Sequence, residues 1–312
     1  MEKILIALGG NALLRNGDDR TYESQVKRAS EAFEKLYGII RDNYVVITHG
    51  NGPQVGDILI QNDMAKSVTP AMPIDVCGSM SQGLIAQILL TSYERVRSKL
   101  SGDGKPPVYI VTRTLVDEND KAFKNPSKFV GPFYTESEAK SIMEEKGWPM
   151  KQQGQKGWRR VVPSPMPQSI VEKDAVSSLL LSGYLPLCVG GGGTPVIRNH
   201  SGIIGVEAVI DKDLASSVLA SSLGFERLMI LTDVDNVFLN YGKPDEKSIG
   251  KISLGKMEEL YRAGNFPEGS MGPKIKSAIQ FLRKGGKVVN ITSLELCYDA
   301  LNRDSGTVIL RD

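Results

Sequence analysis

Apolar runs alternate with amphipathic stretches along most of the chain. The helical periodicity predicts helices at about 22–40, 54–64, 80–100, 169–181, 214–223 and 275–283, with a short helix near the carboxyl end. The apolar runs predict strands at 4–8, 44–48, 108–112, 185–189, 206–210, 228–231, 288–291 and 307–310. Strands that alternate with helices in this way predict an α/β protein with a parallel, helix-covered sheet.

One segment, at about 121–167, interrupts the alternation. It is rich in proline, glycine and aromatic residues, and it contains a single helical stretch at about 136–146. Such a segment is either a long surface excursion or a packed subdomain inserted into the main fold. The compact helix and the aromatic side chains favour a packed subdomain, and insertions of this kind often act as lids.

The composition bounds the size of the protein and the kind of partner it can have. The chain has 312 residues, of which 41% are hydrophobic and 24% charged, and its formal net charge is +2. These values are typical of one large globular domain or two closely associated lobes. No run of lysine and arginine predicts the clustered basic face that nucleic acid requires, so we expect no nucleic-acid partner.

The cysteines indicate a reducing environment. Cys77, Cys188 and Cys297 are widely spaced and lack the C-x-x-C pattern of zinc or redox sites. Two of them fall on a predicted strand and an apolar helix face, which favours buried thiols in the cytoplasm. The sequence enters a predicted strand at once, with no basic leader and no long apolar stretch. We therefore expect a cytoplasmic protein with no signal peptide and no membrane span.

Glycine-rich segments follow several predicted strands. Glycine leaves backbone N–H groups free to contact an anion, and a helix that begins nearby adds the positive end of its dipole. One such turn is weak evidence, because tight strand-to-helix turns need glycine for geometry alone. Repetition at one edge of a parallel sheet favours a phosphoryl pocket. The segments are Gly9-Gly10-Asn11, His49-Gly50-Asn51-Gly52, 190–193, Asp211-Lys212-Asp213 and 269–274.

Two of these segments contain lysines. Lys212 and Asp213 stand where a helix is predicted to begin at Leu214, and the spacing leaves two interpretations in balance. Asp213 either caps the helix beside a solvated Lys212, or it orients Lys212 toward a phosphate or helps to hold a metal. Lys274 follows a glycine and a proline at another helix start, which suits a plain first turn as well as contact with a terminal phosphate.

The remaining polar candidates are less specific. Thr232 and Asp233 end an apolar strand and are compatible with a polar turn, while Lys128 has the surroundings of a solvated loop residue. His49 ends a strand and His200 lies in a predicted hairpin turn, so no Ser/His/Asp or Cys/His set is apparent. A phosphoryl acceptor that is already an anion needs no general base. Lysines, backbone donors and magnesium suffice for such a transfer.

Together, the motifs closely resemble those of the carbamate kinases, a branch of the amino acid kinase family, over nearly the whole chain. The motifs around Lys128 and Trp158 are more specific than the glycine loops, which the wider family shares. Arg113 and Lys156 depart from the pattern, because relatives usually have glutamine and arginine there. The segments that carry the resemblance are 7–12, 48–56, 80–83, Asn125-Pro126-Ser127-Lys128, 131–133, Gly157-Trp158-Arg159-Arg160, 161–165, 205–213, 230–234 and 269–274.

The resemblance implies an open, mostly parallel sheet in an α/β/α sandwich, with a protruding lid subdomain, and a homodimer. The N-terminal lobe, about 1–225 with the lid at about 121–167, would bind carbamate or carbamoyl phosphate. The C-terminal lobe, about 226–312, would bind ATP or ADP with magnesium. The implied reaction is reversible phosphoryl transfer between ATP and carbamate, and the implied partners are these small molecules.

The resemblance also implies roles for individual residues. Lys212 and Lys274 would neutralise charge on the transferred group, Asp213 would orient them, and Lys128 would reach in from the lid, contrary to its loop-like surroundings. Magnesium would be held through nucleotide phosphates rather than by protein side chains. The carbamoyl and phosphoryl groups would lie on Gly9, Gly10, Asn11, Gly50, Asn51 and Gly52. The nucleotide site would be lined by Lys212, Thr232, Asp233, Tyr241, Met271, Gly272 and Lys274.

Two rival functions stay open at this point. One is a kinase that acts on another small carboxylate, such as an acetylated amino acid, and the motifs at Lys128 and Trp158 argue against it. The other is a non-catalytic sensor of carbamoyl phosphate or nucleotide. The presence of all three lysines disfavours a site without catalysis.

Overall fold

The computed structural model describes residues 1–14, 17–100, 102–267, 269–302 and 305–312, without the side chain of Asn11. The strands are β1 (Lys3–Leu8), β2 (Tyr44–His49), β3 (Pro107–Tyr109), β4 (Arg113–Val116), β5 (Lys128–Tyr134), β6 (Met150–Gln152), β7 (Trp158–Val162), β8 (Pro167–Ile170), β9 (Leu185–Cys188), β10 (Thr194–Asn199), β11 (Gly202–Gly205), β12 (Arg227–Thr232), β13 (Val237–Leu239), β14 (Lys247–Ile249), β15 (Lys251–Ser253), β16 (Val288–Ser293) and β17 (Thr307–Leu310). The α-helices are α1 (Tyr22–Asp42), α2 (Gly52–Ala65), α3 (Ile74–Leu100), α4 (Glu136–Lys146), α5 (Lys173–Leu181), α6 (Lys212–Ser222), α7 (Leu254–Arg262), α8 (Met271–Arg283) and α9 (Cys297–Asn302).

The central sheet has eight strands in the order β15-β17-β16-β12-β1-β2-β9-β3. Neighbouring strands are parallel except for β16 and β17, which run antiparallel near one edge. The predicted mostly parallel sheet is therefore confirmed. The lobe boundary near 225 stays a prediction, and the sheet is continuous across it, because β12 pairs with β1 from Arg227 onward.

Both faces of this sheet are buried. Successive side chains of a strand point to opposite faces, and in β1 Ile4 and Ile6 belong to one apolar cluster while Leu5 and Ala7 belong to another. Residues from α1, α3 and α9 complete the first cluster, and residues from α5, α6, α7 and α8 complete the second. Helices on both sides of one sheet form the predicted α/β/α sandwich.

The interrupting segment folds as a small unit with its own sheet. Strands β5, β7 and β6 form an antiparallel sheet, beside which α4 matches the helix predicted at 136–146. Thr135 and Glu138 form a capping box at the start of α4, and Gly147 ends the helix in a left-handed conformation. We call this unit the lid, and a cluster that contains Ile74 and Val130 packs it onto the body.

A second sheet has the strand order β11-β10-β4-β8. Strand β4 precedes the lid along the chain, and β8, β10 and β11 follow it. The predicted hairpin around His200 is present, with Asn199 opposite Gly202 in β10 and β11. The strand predicted at 206–210 is absent, so that prediction is wrong. The backbone N–H of Val209 there donates to the Pro163 carbonyl. At the start of this apolar run the N–H of Val206 still donates to the Pro195 carbonyl of β10, but the run then turns to an irregular segment instead of continuing as a strand.

Several predicted helix starts also differ from the structure, and α3, predicted from 80, begins at Ile74. The helix predicted from 169 begins at Lys173, because residues 167–170 pair with β4 as strand β8. The helix predicted from Leu214 begins at Lys212. Strand pairing and capping residues outside the periodic stretch decide such boundaries, and periodicity alone does not reveal them.

Helix α3 is the one helix among the described residues that could cross a membrane by length and composition. This is weak evidence, because one side of α3 carries buried residues such as Ile85 and Ile88 that pack in the apolar core beside α1. The expected absence of a membrane span stays a prediction. Cys77, Cys188 and Cys297 are free and buried as predicted, and the cytoplasmic location that they favour also stays a prediction.

Candidate active site

A large cleft opens where β1, β2 and β12 end. These strands are adjacent and parallel, so the loops that follow them meet at one edge of the sheet. The cleft has a volume of about 1100 Å³ and reaches from the glycine loops to the lid. The predicted residues that line it are Gly9, Gly10, Gly50, Asn51, Gly52, Lys128, Lys212, Asp213, Thr232, Asp233, Tyr241, Met271 and Lys274.

Two predicted site residues need separate mention. The side chain of Asn11 lies outside the described part of the structure. Gly272 is buried behind the cleft wall, where its N–H donates to the Pro267 carbonyl at 2.8 Å. Gly272 therefore supports the segment that carries Met271 and Lys274 rather than facing the open space.

The loops after β1 and β2 lie against each other. Gly9 packs so closely on β12 that a Cβ there would stand 2.7 Å from the Leu231 carbonyl oxygen. A Cβ on Gly50 would stand 3.7 Å from the Gly10 nitrogen and 3.7 Å from Cδ of Lys212. The glycine loops and Lys212 are therefore brought together in one small volume.

Asp213 bridges the two predicted lysines. Its Oδ2 accepts from Nζ of Lys274 at 2.8 Å, and its Oδ1 accepts from Nζ of Lys212. The side chain of Asp213 is 4% exposed, and those of Lys212 and Lys274 are 13% and 16% exposed. Lys212 begins α6 and Lys274 lies in the first turn of α8, and the two helices pack together. One carboxylate between two ammonium groups leaves a net positive charge for an anion in the cleft.

Burial and ion pairing shift the pKa values of Asp213, Lys212 and Lys274 in opposite directions, because burial disfavours the charged form of each group and pairing favours it. Burial raises the pKa of Asp213, but the ammonium groups of Lys212 and Lys274 outweigh it and hold this pKa below its usual value. Burial lowers the pKa of Lys212, with repulsion from Lys274 adding to it and attraction to Asp213 opposing it. Burial also acts on Lys274, but attraction to Asp213 exceeds it and raises the pKa. Lys212 therefore loses its proton first as the pH rises.

Asp211 caps helix α6. Its Oδ1 accepts from the backbone N–H groups of Asp213 and Leu214 at 3.0 Å and 3.3 Å, so the interpretation of Asp213 as the cap is wrong. Its Oδ2 accepts from Nζ of Lys128 at 3.1 Å. Lys128 lies on β5 of the lid and is paired, so the expectation of an unpaired loop lysine is wrong, while its side chain is 41% exposed and in contact with solvent.

A strained turn supports the glycine loops from behind. Val189 has φ 53° and ψ 38°, a left-handed conformation that β-branched residues rarely adopt. Gly191, in the turn that follows, has φ 62°, and a Cβ there would stand 2.2 Å from Cγ of Asn51. On its other side, Nδ2 of Asn51 donates to Oγ of Ser81 at 2.8 Å. The turn and Ser81 thus fix the side chain of Asn51 just before α2 begins at Gly52.

His49 is enclosed beneath the same loops. Its Nδ1 lies 2.8 Å from the Gly50 carbonyl oxygen, which can only accept, so Nδ1 carries the proton. Its Nε2 then accepts from the Tyr109 hydroxyl at 2.7 Å. Burial lowers the pKa of His49 to about 4. The ring is therefore neutral at pH 7, and it holds the backbone of Gly50 in place.

The cleft also contains the residues predicted for a nucleotide. Thr232 ends β12, Asp233 follows it, and Met271 begins α8. Tyr241 is 67% exposed, and its ring centroid lies 5.9 Å from that of Phe238, which also lines the cleft. The sequence analysis missed Phe238, because an isolated aromatic residue in a short strand carries no positional signal.

Two arginines of the cleft wall were also missed. Nη2 of Arg159 donates to the Gly131 carbonyl at 2.7 Å, and its guanidinium carbon lies 4.9 Å from the Phe133 ring centroid. Arg20 pairs with Asp57 at 2.7 Å. The lid motif at 157–165 contains Arg159 and could have indicated it, whereas nothing in the sequence singles out Arg20.

The described residues contain no cluster of three or more His, Cys, Asp or Glu side chains that could hold a metal alone. In the cleft, Asp57 pairs with Arg20, Asp211 and Asp213 pair with lysines, and Asp233 adds a further carboxylate. Magnesium is commonly held by one or two carboxylates together with substrate phosphates. The cleft therefore fits a magnesium ion that binds with a nucleotide.

Comparison with known proteins decides the family. Residues 2–293 match the amino acid kinase family. The chain belongs to this family. It is 49% identical over 311 residues to the carbamate kinase of Thermoplasma acidophilum and 45% identical over 320 residues to that of Thermococcus kodakarensis, each covering 100% of both chains. It also matches a solved structure, carbamate kinase from Giardia lamblia bound to AMP-PNP, with a TM-score of 0.93 and 45% identity over 100% of this chain and 99% of that one.

This amino acid kinase family member has two departures from the expected motifs, and both lie outside the cleft wall. Arg113, on β4, directs Nε and its backbone N–H to the carboxylate of Glu172, each at 2.7 Å. Lys156 is exposed in a short turn of the lid before β7. Neither substitution alters a contact of Lys128, Lys212 or Lys274.

We predict that Gly191→Ala destabilises the protein more than Gly224→Ala. Gly224 has nearly the same backbone conformation, φ 63°, but no neighbour within 4 Å of an added Cβ, so it reports the backbone strain alone. That strain costs about 1–2 kcal/mol, and the contact with Asn51 adds about 1–3 kcal/mol at Gly191. Urea denaturation of both variants measures the difference. Equal losses would contradict the described packing of Asn51.

Proposed function

We propose that this protein is a carbamate kinase. It transfers a phosphoryl group reversibly between ADP and carbamoyl phosphate, giving ATP and carbamate, and carbamate then decomposes to ammonia and carbon dioxide. Relatives named carbamate kinase match the whole chain at 45–49% identity, and the matched Giardia structure holds AMP-PNP, an ATP analogue. The full-length match includes the lid, which supports a shared acceptor as well as a shared nucleotide.

One observation carries the proposal: a single carboxylate holds the ammonium groups of Lys212 and Lys274 beside two glycine loops. In phosphoryl transfer, the oxygens of the moving group carry negative charge through an in-line transition state. Cations fixed in a poorly solvated cleft stabilise that charge without rearranging during the reaction. The attacking oxygen is an anion in both directions, so the transfer needs no general base. The neutral, enclosed His49 agrees with this chemistry.

The proposed roles follow the cleft from one end to the other. Lys128 would add positive charge from the lid, by moving its ammonium group from Asp211 to the substrate. Asp213 would keep both site lysines in place. The carbamoyl and phosphoryl groups would lie on Gly9, Gly10, Asn11, Gly50, Asn51 and Gly52.

The nucleotide would occupy the end of the cleft beyond the lysines. Thr232, Asp233, Tyr241 and Met271 would line its site, and Gly272 would act from behind by supporting the start of α8. Magnesium would be held through the nucleotide phosphates, with Asp233 as the available carboxylate, and when bound it would neutralise phosphate charge. The partners of the protein would then be ATP or ADP and carbamate or carbamoyl phosphate.

The direct test is ATP formation from carbamoyl phosphate and MgADP, followed with hexokinase and glucose-6-phosphate dehydrogenase. We expect Lys274→Ala to lower kcat by about 100-fold or more, because a fixed positive charge is lost where the phosphoryl group moves. Lys284→Ala, at the exposed end of the same helix, is the matched control and should keep wild-type activity.

The same assay separates the rival functions. No ATP from the wild-type protein would refute the proposal. Phosphorylation of an acetylated amino acid in place of carbamate would favour another kinase of the family. Calorimetric binding of carbamoyl phosphate and ADP without turnover would favour a sensor. An active Lys274→Ala variant would refute the role of that lysine alone.

The lowered pKa of Lys212 predicts an alkaline limit to activity. The lysine contributes its charge below its pKa and loses it as the pH rises through that value, which lies below the ordinary 10.5. We therefore expect kcat/KM for carbamoyl phosphate to decline at a pH where a solvated lysine is still protonated. Circular dichroism at each pH controls for unfolding. A profile that stays flat up to the ordinary lysine pKa would contradict the described burial.

We further propose that two copies of the chain form a homodimer through α3. Val76, Met80 and Leu84 follow one another at intervals of four residues and are 37%, 45% and 39% exposed, which gives α3 an apolar stripe opposite its core face. Apolar surface that is continuous along a helix is typical of an interface. The homodimer implied by the family resemblance supplies the occupant of this stripe.

We predict that Leu84→Glu converts the dimer to a monomer, because it places a carboxylate within the apolar contact. Leu181→Glu is the matched control, since Leu181 is 67% exposed at the end of α5, away from the stripe. Sedimentation velocity measures the mass of each variant. A monomeric wild-type protein, or a Leu84→Glu dimer as stable as the wild type, would refute this interface.

A further inference from the structure

A second cavity lies between the body and the base of the lid. It has a volume of about 370 Å³. Helix α2 and the segment 71–74 form its wall on the body, and β5, Trp148 and Arg160 form its wall on the lid. Residues 130–132 of β5 line this cavity as well as the large cleft. The two spaces therefore share one strand of the lid as a common wall.

Arg160 brings an incompletely paired charge to this cavity. Its side chain is 12% exposed, and its Nε is enclosed without a hydrogen-bond acceptor. Among the described residues, its one ion-pair partner is Glu207 at 3.5 Å, and the side chain of Glu207 is itself 58% exposed. Burial lowers the pKa of Arg160, and attraction to the exposed Glu207 opposes this shift only in part.

The other charged groups around the cavity are better satisfied. Lys146 donates to Oδ1 of Asp63 at 2.7 Å, and its Nζ also lies 4.5 Å from the Trp148 ring centroid. The guanidinium of Arg160 stacks on the same ring at 4.1 Å, which fixes its orientation. Arg160 is therefore preorganised to bind an anion. The nearby carboxylates of Asp63 and Glu207 repel a doubly charged anion more strongly than a singly charged one.

The rest of the cavity wall is mainly apolar. Leu59 and Ile60 of α2 face it together with Met72, Pro73 and Ile74 of the segment that leads into α3. Small-molecule sites usually combine such an apolar lining with one or two polar groups that fix orientation. The lining thus suits an apolar body, and the guanidinium suits a single carboxylate.

We propose that this cavity is a binding site for a small organic carboxylate with an apolar body, with the carboxylate paired to Arg160. A ligand there contacts α2 and the lid at once, so it favours the lid position described here. The proposal concerns binding alone and does not depend on the reaction proposed above.

Trp148 provides a direct readout. The chain has two tryptophans, and Trp158→Phe leaves Trp148 as the single fluorophore beside the cavity. We would titrate this variant with benzoate, benzyl alcohol and inorganic phosphate, with the nucleotide cleft saturated by MgADP. We expect saturable quenching by benzoate with a Kd on the order of millimolar, as fits a ligand of its size. Benzyl alcohol and phosphate should bind at least about tenfold more weakly, since each lacks one half of the recognised chemistry.

Arg160→Met in the same background tests the charge and keeps an apolar side chain of similar length. It should weaken benzoate binding by about tenfold or more, whereas Lys140→Met, which removes an exposed lid cation on α4, should leave it unchanged. Absence of saturable quenching, equal binding of benzyl alcohol, or benzoate binding that MgADP abolishes would each overturn the proposal. The comparison of three probes on one protein does not depend on whether Arg160→Met folds.

Discussion

The arrangement of the cleft depends on one carboxylate that holds two ammonium groups. Asp213 is almost fully buried, and its removal would leave two neighbouring ammonium groups, both largely buried, without a counter-charge. The two lysines repel each other, so neither would stay at this position without the carboxylate. The three groups together carry a net positive charge, and an incoming phosphoryl group neutralises it. Burial, helix packing and anion binding are therefore parts of one electrostatic balance.

Close contacts fix the backbone around Asp213 and the two lysines. Asp211 caps α6 and so sets the position of Lys212, while Gly9 lets the loop after β1 approach β12 closely. The left-handed conformation of Val189 costs free energy, and such strain persists where surrounding packing over-determines it, often at functional sites. In this protein the strained turn packs against Asn51. The rigidity of the glycine loops thus comes from the turn beneath them as well as from the sheet.

The sequence patterns predicted the central architecture because β1 and β2 consist mainly of apolar residues and α4 has both caps in its local sequence. They failed at 206–210, since an apolar run does not reveal whether its backbone pairs with a strand or with a segment such as Pro163. Lys128 has its partner 83 positions away, at Asp211, which local composition could not indicate. The family motif did place Lys128 near a site. Resemblance to a family carries information about contacts between residues that are far apart in sequence, whereas the composition of a short segment does not.

The lid connects these observations, because its strand β5 contacts the body at two places. At one end Lys128 pairs with Asp211, the residue that also starts α6, so any movement of this ammonium group changes the field at Lys212. Further along the strand, Val130 packs against Ile74 of the body. Because β5 is held at Lys128 and at Val130, a shift of the strand at one of these residues is expected to move the other as well. The position of the lid and the charge that faces the phosphoryl site are therefore physically linked, without any need for a longer path through the sheet.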